Sequence, residues 1–124
     1  MDYKKFLERV IDDGIEAVKA DYKEGDNRRE GSLQGFEDCR GKSPQELLAL
    51  LMEARQKAQE VYWETQDGDQ AAVDRYWHYQ SRSLEIEWVC NSVSAAFANS
   101  GLAPLIPPTC RGALNAARIL GVSE

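Results

Sequence analysis

The sequence predicts an all-α fold, a helical bundle of four to five helices built on a long antiparallel helical hairpin. Apolar residues recur at alternating steps of four and three along most of its 124 residues. That spacing gathers them on one side of a helix. No stretch of four or more residues alternates with the period of two that a half-buried strand shows. Capping signals bound the periodic stretches, and the length suits one domain over 1–124.

The first helix is expected over 2–24, with Leu7, Ile11, Ile15, Val18 and Tyr22 on one stripe and Phe6, Val10 and Ala17 widening it. Gly14 costs about 1 kcal/mol against Ala inside a helix and marks close approach by a neighbour. Gly25 offers a left-handed cap. From 25 to 43 four glycines interrupt a polar stretch, which reads as a loop holding one short helix over 32–40, pinned by Leu33 and Phe36. Ser43-Pro44-Gln45-Glu46 is the strongest start signal: a hydroxyl and a carboxylate each take an orphan backbone N–H, and Pro fits the first helical position. The helix that follows, 44–66, carries Leu47, Leu51, Ala54, Ala58 and Val61 at helical steps. Asp67-Gly68-Asp69 makes a tight turn into a helix over 69–100, whose stripe is Ala72, Tyr76, Tyr79, Ser83, Ile86, Cys90, Val93 and Phe97. About 45 Å long at 1.5 Å per residue, it must project, bend or belong to an elongated bundle. Three prolines make 102–108 a strap across the bundle. Thr109 caps a last helix, 110–120, with Ala113, Leu114, Ala117 and Leu120 expected inward.

Fifteen Lys and Arg against twenty-one Asp and Glu give a net charge of −6, which argues against a dedicated nucleic-acid binder. A nucleic-acid role would have to use Arg40, Lys42, Arg111 and Arg118. The charged first ten residues do not read as a secretory signal. Cys39, Cys90 and Cys110 cannot all pair within one chain and do not crowd into a metal spacing. A cytoplasmic protein without a cofactor is the expectation.

Catalysis finds few footholds. The single histidine, His78, would have to serve any serine or cysteine triad, and no nucleophile elbow is present. Gly-Lys-Ser at 41–43 lacks the earlier glycine of a phosphate loop, since Phe36 stands there. No catalytic residue is assigned. The enzyme alternative is a carboxylate-metal hydrolase using Glu60, Glu64, Asp74 and His78, which sit at helical spacing near one end of the hairpin; a solvated helix surface explains the same residues more economically.

Aromatic residues say more. Tyr62-Trp63 closes one arm of the hairpin and Tyr76-Trp77-His78-Tyr79 opens the other. Four consecutive rings span about 300° of a helix surface, so Trp77 and His78 should lie partly outside if Tyr76 and Tyr79 point in. Trp63, Trp77 and His78 are therefore candidate partner contacts, with Arg40 and Lys42 as a second patch. From Trp88 to Cys110 no side chain is charged. The polar and proline residues within it break any membrane span. The stretch needs cover on nearly every side, which a homodimer would give through Trp88, Ser92, Ala95, Ala96 and Asn99. Whether Arg111 sits beside Glu87 and Asn91 depends on how the last helix docks.

Gly35-Phe36, Cys39-Arg40-Gly41-Lys42-Ser43-Pro44, Glu87-Trp88-Val89-Cys90-Asn91 and Pro107-Pro108-Thr109-Cys110-Arg111-Gly112 resemble short uncharacterised proteins of tailed phages and prophages. The resemblance spans roughly 33–122 and implies a context, a small accessory protein in a bacterial cytoplasm, but no activity and no site residue. The reading of the whole sequence is a small non-enzymatic helical interaction factor, a homo-oligomer with a further protein partner.

Overall fold

The computed structural model describes residues 2–102, 106 and 109–121, and among them five α-helices and no strand. Helix α1 covers Tyr3–Asp21, α2 Asn27–Cys39, α3 Pro44–Glu64, α4 Gln70–Ala96 and α5 Cys110–Leu120. All five begin at an expected kind of cap: the side chains of Asp2, Asp26, Ser43, Asp69 and Thr109 each accept a backbone N–H of the first turn. At α3 both arms of the capping box close, Glu46 N–H donating to Ser43 Oγ at 3.2 Å and Ser43 N–H to Glu46 Oε1 at 3.0 Å.

Two antiparallel hairpins make the frame. In the first, α1 and α2 pack so that the Phe36 ring fills the space a side chain at Gly14 would need. Arg40, just past the end of α2, reaches back to Glu8 and Asp12 of α1 at 2.7 and 3.2 Å. In the second, α3 and α4 are tied from the turn inward by Glu64–Arg75 at 2.7 Å, Glu53–Arg82 at 2.9 Å and Arg55–Glu87 at 3.4 Å. The hairpins join through α2 and α4, which run side by side in the same direction: Gly31 lies against His78, and Gly35 and Asp38 against Arg82. Phe6, Val10, Ile11, Phe36, Leu47, Leu51, Ile86, Val89 and Val93 fill the core between them. Each such side chain contributes about 1.5–3 kcal/mol on burial.

Several expected boundaries move. Helix α1 stops at Asp21 rather than 24, because Tyr22 turns extended and Gly25, at φ 86°, carries the chain straight into the Asp26 cap. Helix α2 begins at Asn27, five residues before the short helix expected at 32–40. Gly31 and Gly35 are not loop punctuation; they are one helix face, four residues apart, pressed on α4. A Cβ at Gly31 would collide with the His78 carbonyl, and one at Gly35 would lie 2.6 Å from the Arg82 carbonyl oxygen. Helix α4 ends at Ala96, not 100, since Phe97 leaves the helical conformation to set its ring edge-on to Tyr3 and Phe6 at 5.6 and 5.2 Å.

Helix α5 turns a different face inward from the one its leucines suggest. Gly112, Asn115, Ala116 and Ile119 are buried, while Ala113 and Leu114 are exposed, Leu114 by 58%. Close docking explains the rotation: a Cβ at Gly112 would be 2.9 Å from Asn91 Cβ, and Asn115 Nδ2 donates to Ser92 Oγ at 3.1 Å. Of the strap expected over 102–108, Leu102 and Ile106 are described; both are buried, and Ser94 Oγ donates to the Ile106 carbonyl at 2.8 Å. The remainder lies outside the described residues. The uncharged half of α4 is thus covered by its own chain along 89–94, and Ser92, fully buried, is no contact surface for a second copy.

Candidate functional site

Two places bring chemistry together. The first is the tip of the α3–α4 hairpin. Trp63, Tyr62, Tyr76 and Trp77 form a continuous chain of rings, with successive centroids 5.8, 5.6 and 5.3 Å apart. Trp63 is 62% exposed and Trp77 46%. The ring chain forms because Tyr62 and Tyr76 face each other across the turn while the neighbouring tryptophan on each helix points about 100° further round. Charge near the tip is mostly acidic. Glu60, Glu64 and Asp69 are exposed and Asp74 half-buried; Arg75 is spent on Glu64, and Lys57 Nζ lies over the Tyr79 ring at 5.3 Å. Beside Trp77 the α1–α2 turn opens a hollow of about 430 Å³ lined by Gly25, Asp26, Arg28 and Asp74.

His78 is half-buried rather than presented with Trp77. Its ring packs on Tyr79 at 5.0 Å, and its basicity is lowered by burial and by the Arg82 guanidinium. Among the described residues no group of three or more His, Cys, Asp or Glu side chains could hold a metal ion. Glu60, Glu64, Asp74 and His78 do not converge: Glu60 accepts from Gln56 and Asp74 from Gln70, while Glu64 takes Arg75.

In the second basic patch only Arg40 is spent: it is clamped by Glu37, Glu8 and Asp12, and its hydrogen bond to Glu37 helps hold the guanidinium well above its ordinary pKa. Lys42 contributes its backbone carbonyl to the Tyr3 hydroxyl at 2.6 Å. Cys39 and Cys90 are buried, and burial pushes both thiols up, Cys90 to about 12. A thiol so protonated is a poor nucleophile.

The second place is a cleft of about 410 Å³ where α1, α2, α4 and α5 meet. Val18 and Phe36 give it apolar walls, and Glu85, Trp88 and Asn91 line it from successive turns of α4. Arg111 closes it from the first turn of α5, so the docking of that helix does bring Arg111 alongside Glu87 and Asn91. Two buried polar atoms here, Trp88 Nε1 and Asn91 Oδ1, have no partner among the described residues. The Asn91 amide is oriented by its own donor: Nδ2 is used on the Glu87 carbonyl at 3.1 Å. Burial raises the Glu85 carboxyl to about 7, against the pull of Arg111 in the other direction. Glu85, Trp88 and Asn91 share a face of α4 by their spacing, but only the face of α5 decides that Arg111 closes a space over them.

No protein-family model, curated protein or solved structure matches the chain. Among the described residues no helix is long and apolar enough to cross a membrane.

Proposed function

We propose that this chain is a small non-enzymatic helical interaction factor that docks a basic, apolar-bearing protein surface on the aromatic tip of the α3–α4 hairpin. The observation that carries the reading is the unbroken chain of four rings with both tryptophans exposed. Tryptophan and tyrosine supply large contact areas at little conformational cost and dominate binding energy at protein interfaces. The charge around them selects the partner. Glu60, Glu64, Asp69 and Asp74 outnumber the cations at the tip, so an arginine- or lysine-bearing surface gains both ion pairing and cation–π contact. A second copy would bring the same acidic rim against itself, which favours a different protein over self-association at this surface. A homodimer through Trp88, Ala95, Ala96 and Asn99 would have to form without Ser92. The phage or prophage context rests on the resemblance of short motifs alone.

The test uses the purified chain and its Trp63→Ala and Trp77→Ala variants as bait, followed by titration of whichever partner is captured and identified. Each variant is expected to stay folded, because both rings lie at the surface rather than in the core, and to lose about tenfold or more in affinity, roughly 1.4 kcal/mol or more. Affinity should fall as salt rises. A Trp77→Ala protein that binds as the parent does, or a partner with an acidic contact surface, overturns the reading.

A further inference from the structure

We propose that the cleft between α1, α2, α4 and α5 binds a small zwitterion carrying an ammonium and a carboxylate, of the class of a free apolar amino acid. The argument begins with the two unpartnered atoms. Asn91 is 5% exposed and lines the cleft; among the described residues its acceptor, Oδ1, has no donor, and Trp88, one turn earlier, has a donor, Nε1, with no acceptor. Leaving a buried polar group unpaired is costly, a cost that a ligand with one donor and one acceptor would recover. The charged groups repeat the pattern on a larger scale. Glu85 stands on the α4 wall and Arg111 on the first turn of α5, where the positive end of the helix dipole adds to the guanidinium. An ammonium placed toward Glu85 and Asn91 Oδ1, and a carboxylate placed toward Arg111 and the Trp88 indole N–H, would satisfy all four at once.

The other lining groups fit the same class of ligand. Glu87 is already engaged by Arg55 at 3.4 Å, and Asp21 is exposed at the rim. Val18, Phe36 and Leu84 make the wall left for an aliphatic side chain. A volume of about 410 Å³ accommodates a molecule of that size with room to spare. This site is separate from the aromatic tip, and its fate does not depend on the docking proposal.

The experiment is a titration of the isotope-labelled full chain with L-leucine, read at the Trp88 indole N–H resonance. Leucinamide and N-acetyl-leucine, which each lack one of the two charges, serve as comparison probes. L-leucine is expected to shift that resonance saturably, and each comparison probe to bind about tenfold more weakly. Arg111→Gln, a change at an exposed position, should weaken L-leucine about tenfold while the rest of the spectrum is retained, and Arg111→Lys should restore part of the loss. No response of the Trp88 indole to L-leucine overturns the proposal. Leucinamide binding as tightly as L-leucine overturns it in favour of a plain cation site, and unchanged binding by Arg111→Gln removes the carboxylate assignment.

Discussion

Gly31 and Gly35 decide where α2 can lie, and they do so by what they lack. At Gly31 any Cβ meets the His78 backbone, which belongs to a helix that cannot yield locally. Gly31→Ala is therefore expected to destabilise the fold by about 2 kcal/mol or more, even though alanine is the better helix former. Gly25→Ala has open space but a positive φ of 86°, and should cost about 1 kcal/mol. Urea unfolding of the two variants compares them directly. Glycine in a sequence reads first as a breaker. Gly14 could be read as a close approach because a clear apolar stripe surrounds it, and Phe36 does fill that space. Gly31 and Gly35 lie among Arg28, Arg29, Glu30 and Gln34 with no such stripe, so their role emerges only from the partner helix.

Helix starts were legible at Ser43 and Thr109, whose side chains close them, but not at Asp26, which caps α2 five residues ahead of the expected start. The capping box of α3 is the clearest case, and Ser43→Ala should cost about 1 kcal/mol in unfolding free energy, because the Glu46 N–H loses its acceptor while the Ser43 N–H keeps the Glu46 carboxylate. Helix faces were legible where burial follows hydrophobicity, as at Leu47, Leu51, Ala54, Ala58 and Val61 of α3, all buried. They were not legible in α5. There small and polar residues, Gly112, Asn115 and Ala116, are the ones that allow close docking on α4, and Leu114 is left outside. The cleft shares that history. Its residues have ordinary spacing on α4, and the fourth wall comes from a helix whose rotation is set by a glycine contact and one amide hydrogen bond. Arg82 shows the same limit: nearly buried on α4, it is held at 2.8 Å by Asp38 of α2 and at 2.9 Å by Glu53 of α3, a three-helix clasp that no single helix pattern announces.

Across the whole molecule, Glu85 couples the cleft to pH. Its carboxyl titrates near 7 in the folded chain because of burial, with Arg111 of α5 opposing, and near the ordinary 4.5 when unfolded. Asp21 of α1 and Glu87 of its own helix are the other charged groups lining that space. The folded pKa is the higher one, so the folded state binds the proton more tightly. The contribution is full below about 4.5 and is lost as pH rises through 7. Stability is expected to decline between pH 5 and 8, and Glu85→Gln to remove much of that decline. At pH 8 the variant should be more stable by about 1–2 kcal/mol, allowing for partial solvent screening. Thermal melts of both proteins across this range check it. Glu37 and Glu46 work in the opposite sense: hydrogen bonds from Arg40 and from Ser43 lower them, so their contribution is lost as pH falls below about 4.5, outside that window.

The glycine seam between α2 and α4 also orders events in time. Each hairpin, α1 with α2 and α3 with α4, closes over a short turn and has contacts of its own to gain. The seam links residues 47 positions apart in the chain, Gly31 with His78 and Gly35 with Arg82, and its side-chain contacts, Asp38 with Arg82 and Phe36 with Trp88, are comparably distant in sequence. Closing that longer loop is rewarded only when both helices are already formed. The two hairpins should therefore assemble first and the seam last. A residue forced into it, as in Gly31→Ala, would speed unfolding while leaving the folding rate nearly unchanged. The joint that fixes the architecture is then also the place where it first comes apart.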